Sequence, residues 1–255
     1  MKKKQYLCSR AEYERRVERE HKESKISAFH AKTRENMKEL EDFIAQKLLN
    51  LKTVKLQARN PFEWNTGWLA PIYFDSRKIL SYKVRNVIKV ELARLIVEKY
   101  PEAEAIAAVA PNAIAMGMLV AETLDLPFVY VAAKPKSHGF ENRIEGDLKI
   151  HQKVVIVEDQ VSLGTSAISV QEVIQKDGSD VLGMVSILDY EFHESNAAFR
   201  NAQLEFFALT TYSSIIEKAF EMGRINDTEM AIIDEWHSNP AKWKPQPVKI
   251  VRNKK

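Results

Sequence analysis

Residues 153–174 read KVVIVEDQVSLGTSAISVQEVI. Val154, Val155, Ile156 and Val157 form an unbroken β-branched run that ends in two acids, Glu158 and Asp159. Such a run, with no polar alternation, predicts a strand buried on both faces. A short loop, Gln160 to Gly164, then opens a helix at Thr165 and Ser166 that is expected to reach about residue 177. Backbone N–H groups at a helix N-terminus attract anions, and Gly164 lets the chain approach a phosphate closely. Ser162, Thr165 and Ser166 can donate hydroxyls to the same oxygens, and the N–H of Leu163 remains available. Adjacent carboxylates just upstream suit a vicinal diol, since acids accept from ribose hydroxyls. The segment therefore reads as a ribose-5-phosphate cradle. A strand with an acidic end and a Ser/Thr helix cap would give the same residues a purely structural sense. The fixed order of apolar strand, acid pair and Ser-x-Gly-Thr-Ser favours the nucleotide site.

Strands and helices alternate around this segment. Upstream, AIAAVA (105–110) and PFVYVA (127–132) read as strands, with a helix near 114–124 between them. Downstream come DVLGMVSIL (180–188) and LEFFAL (204–209), then helices near 212–222 and 226–237. In SYKVRNVIKVELARLIVEKY, Val84, Val87, Ile88, Leu92, Leu95 and Ile96 share one helical face. The pattern predicts an α/β fold with a mostly parallel, doubly wound sheet, and ligands at the carboxyl ends of its strands. Before it, NPFEWNTGWLAPIYFD reads as an aromatic hairpin or loop, and Met37, Leu40, Ile44 and Leu48 start a helix expected to pack on the main body.

The 255 residues include 45% hydrophobic and 29% charged ones, ordinary for a globular protein. No stretch approaches the roughly 20 apolar residues that cross a bilayer. The start, MKKKQYLCSRAEYERR, lacks the apolar segment of a secretory signal, and the single cysteine, Cys8, cannot form an internal disulfide. Both features predict a cytoplasmic protein. Residues 1–25 hold nine Lys/Arg against five Glu, and residues 241–255 hold six Lys/Arg and no acid. These basic ends are expected to be solvated tails, with a protein or nucleic-acid partner as the alternative. The expected division is a charged extension (1–36), a main domain (37–243, its first part about 37–82) and a basic tail (244–255).

The segment 153–166 resembles the phosphoribosyl-pyrophosphate motif of type I phosphoribosyltransferases, and the likeness to the orotate phosphoribosyltransferases runs from about residue 37 to 243. NPFEWNTGWLAPIYFDSRKILSY resembles that family's N-terminal hood, and PFVYVAAKPKSHGFENRIEG its mobile catalytic loop. The resemblance implies transfer of phosphoribosyl from phosphoribosyl pyrophosphate to orotate. The products would be orotidine 5′-monophosphate and pyrophosphate. It further implies magnesium carried by the substrate rather than by protein ligands, and a homodimer. Lys134, Lys136 and His138 fall in the family's Lys-x-Lys-x-His-Gly loop, where cations neutralise pyrophosphate and a His can donate a proton. Glu158 and Asp159 match its acidic pair, with Asp159 also assigned to catalysis, and Ser162–Ser166 match its phosphate loop. Asp75, Arg77 and Lys78 lie where the hood meets the site, on the base side.

Leu163 stands where the family usually has a small residue or Gly, and two further departures from the family pattern matter more. Pro111-Asn112-Ala113 stands where a sequence such as Thr-Gly-Gly binds pyrophosphate, and Ala132 stands where the mobile loop begins with Arg. Proline lacks an N–H and alanine lacks glycine's freedom, while the guanidinium lost at position 132 is a bidentate phosphate donor. These losses fall on the pyrophosphate half alone. They leave open an alternative in which a weak or inactive member of the fold binds nucleotides or serves an assembly.

Overall fold

The computed structural model describes residues 32, 35–64, 66–132 and 143–245, with Tyr82 described in its backbone only. Packing divides the chain into Met1–Leu40 and Glu41–Lys255. Of the first unit, residues 35–40 are helical, and Met37 is exposed.

In the second unit, helix α1 (41–50) buries Ile44, Ala45, Leu48 and Leu49, so the buried stripe starts at Ile44 rather than at Met37. Two small antiparallel pairings follow. Strand β1 (Val54–Leu56) pairs with β4 (Ile72–Phe74), and β2 (Phe62–Glu63) pairs with β3 (Leu69–Ala70). The expected aromatic hairpin is the inner pair; the outer pair was not anticipated. A 3-10 turn (Ser76–Leu80) leads into α2 (Tyr82–Lys99).

The main sheet has six strands in the order β10-β9-β8-β5-β6-β7. These are β5 (Ala105–Val109), β6 (Phe128–Val131), β7 (Ile144–Glu145), β8 (Lys153–Val161), β9 (Asp180–Asp189) and β10 (Phe206–Thr211). All neighbours are parallel except β6 and β7, which are antiparallel. Connecting helices are α3 (Ile114–Leu124), α4 (Thr165–Lys176) and α5 (His193–Ala202), and α6 (Tyr212–Glu221) and α7 (Asp227–Ser238) follow β10. The α/β, mostly parallel architecture agrees with the sequence reading, with β8 inside the sheet. It also adds α5 and β7, and carries β8 through Gln160 and Val161, which are expected from the sequence to form loop.

Alternation along β5 shows why the sheet is wound on both sides. Ala105, Ala107 and Val109 join Val154 and Ile156 of β8 in a cluster with Ala167, Val170 and Ile174 of α4. Ala108 faces the other way, where α3 comes so close that a Cβ on Gly117 would lie 2.8 Å from its own. Every residue of β5 is buried, as a strand covered by helices on both faces requires.

Candidate active site

The carboxyl end of β8 carries the candidate site. Glu158 and Asp159 are 6% and 4% exposed. As successive strand residues they project to opposite faces of the sheet. The Asp159 N–H donates to Glu158 Oε1 at 3.0 Å, and the Gln160 N–H donates to Asp159 Oδ1 at 2.9 Å. The second oxygen of Asp159, Oδ2, is buried with no hydrogen-bond partner among the described residues. Burying an unpaired acceptor is costly, so this oxygen is ready to accept a further donor. Burial first, and the Asp159 carboxylate second, hold the Glu158 carboxyl well above the usual carboxylate range.

Ser162, Leu163 and Gly164 turn the chain from β8 into α4. Gly164 has φ +76°, the left-handed region that glycine adopts without a Cβ penalty. The first helical bond runs from the Ile168 N–H to Gly164 O at 3.1 Å, and no side chain among the described residues caps the helix. Helices α6 and α7 instead begin with caps from Thr211 and Asn226. An uncapped first turn presents N–H groups outward, and the Thr165 and Ser166 side chains are exposed beside them. The residues expected to hold phosphate and the acid pair are thus contiguous at one end of the sheet.

Beside them, Asp189 ends β9 in register with Val161. Burial raises its carboxyl to about 6, against the Glu191 N–H, which donates to Asp189 Oδ1 at 2.8 Å and favours the charged form. Glu191 itself has φ +57°, and its Oε2 accepts from the Ser213 N–H at 2.8 Å, in the first turn of α6.

Tyr190 lies between Asp189 and Glu191 and anchors the hood. Its phenol is pushed upward by burial first, then by the Asp159 carboxylate and by Tyr73 of β4. Its ring meets Trp64 at 5.0 Å and stacks on Phe192 at 5.7 Å, while Trp64 meets Trp236 of α7 at 5.6 Å. His237 Nε2 donates to Tyr190 O at 2.6 Å, and the His237 ring stacks on Tyr212 at 3.9 Å. Hood, sheet and final helix therefore meet at one aromatic junction next to the acid pair.

No family model matches the chain. Curated relatives do. It is 46% identical to an orotate phosphoribosyltransferase of Phocaeicola vulgatus over 208 residues, covering 81% of this chain and 98% of that one. It is 47% identical to an orotate phosphoribosyltransferase of Porphyromonas gingivalis, covering 81% and 99%. The chain belongs to the orotate phosphoribosyltransferase family. In fold it is similar to the crystal structure of orotate phosphoribosyltransferase from Aeropyrum pernix, with TM-score 0.62 at 22% identity, covering 72% of this chain and 99% of that one. The type I phosphoribosyltransferase fold expected from the sequence is therefore present. Identity at this level over whole relatives favours an enzyme over the alternative of a binding or assembly protein.

The remaining family-derived positions fall differently. Lys134, Lys136 and His138 lie outside the described residues, as does most of the charged extension and of the basic tail. Asp75 and Arg77 are brought together with each other, Arg77 Nε donating to Asp75 Oδ1 at 2.8 Å, and this contact holds the Asp75 carboxyl below its usual range. Lys78 Nζ donates to Lys52 O at 3.1 Å, so these groups bind the 3-10 turn and the hood locally. Ala113 is fully buried with φ −86°, a conformation that alanine adopts freely, and its N–H donates to Val109 O at 3.1 Å. Alanine there introduces no strain, contrary to the expectation from glycine-bearing relatives. Pro111 and Asn112 are exposed, and Pro111 follows a cis peptide bond. The aromatic junction, Asp189 and Arg143 escaped the sequence reading; only the weak signal of an acid at a strand's end was available for Asp189.

Proposed function

We infer that the chain transfers the phosphoribosyl group of phosphoribosyl pyrophosphate to orotate, releasing pyrophosphate and orotidine 5′-monophosphate. The observation that carries this reading is the buried, unpartnered Oδ2 of Asp159 beside the uncapped N-terminus of α4. In this reading the first-turn N–H groups and the hydroxyls of Ser162, Thr165 and Ser166 hold the 5′-phosphate, with Leu163 and Gly164 contributing backbone. Glu158 and Asp159 accept from the ribose hydroxyls, which supplies the donor that Asp159 Oδ2 lacks. A carboxylate at that point also steadies positive charge developing on the ribose as the pyrophosphate departs.

The catalytic set in this reading is Lys134, Lys136, His138 and Asp159, the first three neutralising or protonating the leaving group. Asp75, Arg77 and Lys78 belong to the base side, where they keep the hood in shape. Magnesium fits as a companion of the donor: a hard cation takes the pyrophosphate oxygens of the substrate rather than protein ligands, and there it would neutralise their charge.

The finer parts of the reading are a main domain of about 37–243 with separable ends, a homodimer and a cytoplasmic location. Exposed Val90 and Val97 on α2 and Met118 on α3 are apolar surface that a second copy would cover. No described helix is long and apolar enough to cross a membrane, and a single cysteine suits a reducing compartment.

The test is calorimetric titration with orotidine 5′-monophosphate. The parent should bind, and Thr165→Glu, which puts a carboxylate in a confined anion site, should abolish binding. Equal affinity in the two proteins would remove the phosphate assignment.

A further inference from the structure

Ala132 and Arg143 flank residues 133–142, which lie outside the described residues. The two ends are paired: Val131 lies opposite Ile144 in the β6–β7 register, and the Ala132 N–H donates to Arg143 O at 2.8 Å. Arg143 adds a side-chain clasp to this backbone pairing. Its Nε donates to Ala132 O at 2.7 Å and its Nη1 donates to Ser169 Oγ at 3.0 Å.

The choice of partners is unusual for a guanidinium. Both acceptors are neutral oxygens, although arginine finds its strongest partners in carboxylates and phosphates. Holding so long a side chain in one geometry also costs conformational entropy. What the two bonds achieve is mechanical. Ser169 lies in the second turn of α4, four residues after Thr165 and three after Ser166, and so on the same helical face. One rigid planar group thereby joins the stem of the β6–β7 connection to the helix whose first turn forms the proposed phosphate site.

We propose that Arg143 is a positioning residue for phosphoribosyl transfer, fixing the Ala132 stem to α4 so that both act on one bound substrate. This rests on the reading of 133–142 as the catalytic loop and of 162–166 as the phosphate loop. A group holding the stem matters when the leaving pyrophosphate develops charge and matters little to a bound monophosphate.

The experiment compares the parent, Arg143→Met, Ser169→Ala, the double variant and Lys136→Ala. The measurements are steady-state kinetics, orotidine monophosphate affinity and Tm. Arg143→Met should lower kcat about tenfold, the scale of one lost charge-assisted contact. Monophosphate affinity and Tm should stay close to the parent's. Ser169→Ala should lower kcat less, and the double variant should match Arg143→Met, because both changes break one clasp. An unchanged kcat in Arg143→Met, or a fall in affinity and Tm in step with kcat, overturns the proposal. A fall in Lys136→Ala alone overturns it while leaving the loop reading intact. An unchanged kcat in Lys136→Ala removes the loop reading and the proposal with it.

Discussion

Gly164 faces Phe199: a Cβ built on the glycine would lie 2.8 Å from the ring's Cζ, and the backbone there has φ +76°. The proposed phosphate loop is thus shaped twice, by a left-handed turn and by a ring from α5 that occupies the space where a side chain would go. Alanine at 164 should cost about 1–2 kcal/mol from backbone conformation alone, before the ring is displaced. Gly164→Ala should lower Tm and weaken monophosphate binding. Adding Phe199→Leu should recover only the steric part, which differential scanning calorimetry and titration of both variants would resolve.

Asp189 gives the protein a predictable pH response. Its carboxyl titrates near 6 when folded against 3.8 when unfolded, so the native state holds that proton more tightly. The stability it contributes is complete below about pH 4 and is lost as pH rises through 6. That gap is worth up to about 3 kcal/mol. Asp189→Asn, whose Oδ1 can still accept from the Glu191 N–H, should raise Tm at pH 7.5 and leave it nearly unchanged at pH 3.5. Equal Tm changes at both pH values would show that the carboxyl is not held as described.

The pyrophosphate side invites repair at fewer positions than the sequence indicated. Because Ala113 is buried and helical in conformation, glycine there would only open space in the core. Changing Pro111 to Thr and Asn112 to Gly, with Ala113 kept, should raise turnover without changing monophosphate affinity. Steady-state kinetics beside monophosphate titrations check this; equal turnover would mean that pyrophosphate already finds its donors elsewhere.

Removing residues 1–35 should leave Tm of the main body nearly unchanged. The first deeply buried side chains of α1 are Ile44 and Ala45, and the Arg224 and Thr210 bonds to this helix fall on Leu49 and Glu41. A protein starting at Asn36 that fails to stay soluble would show the extension to be integral.

How much of this the sequence revealed follows from where each signal is stored. Strands β5 and β8 announce themselves because burial on both faces requires an unbroken apolar run. Helix α5, HESNAAFRNA, is polar on most of its surface and buries only Ser195 and Phe199, so its pattern is weak. Strands β1, β4 and β7 span two or three residues, too short for any periodicity. The acid pair and the glycine of the proposed phosphate loop are legible because they lie close together in sequence. The junction of Trp64, Tyr190, Trp236 and His237 was not, since its members are scattered along the chain and only folding brings them together. The same holds for Arg143, whose meaning lies in a serine 26 residues away.

The most direct test of the central claim is a turnover assay with orotate, phosphoribosyl pyrophosphate and magnesium, following orotate loss and pyrophosphate release together. The account predicts equimolar consumption and release that require all three components and that fall by orders of magnitude in Asp159→Asn. Binding of orotidine monophosphate without any turnover of orotate in the parent protein would contradict it.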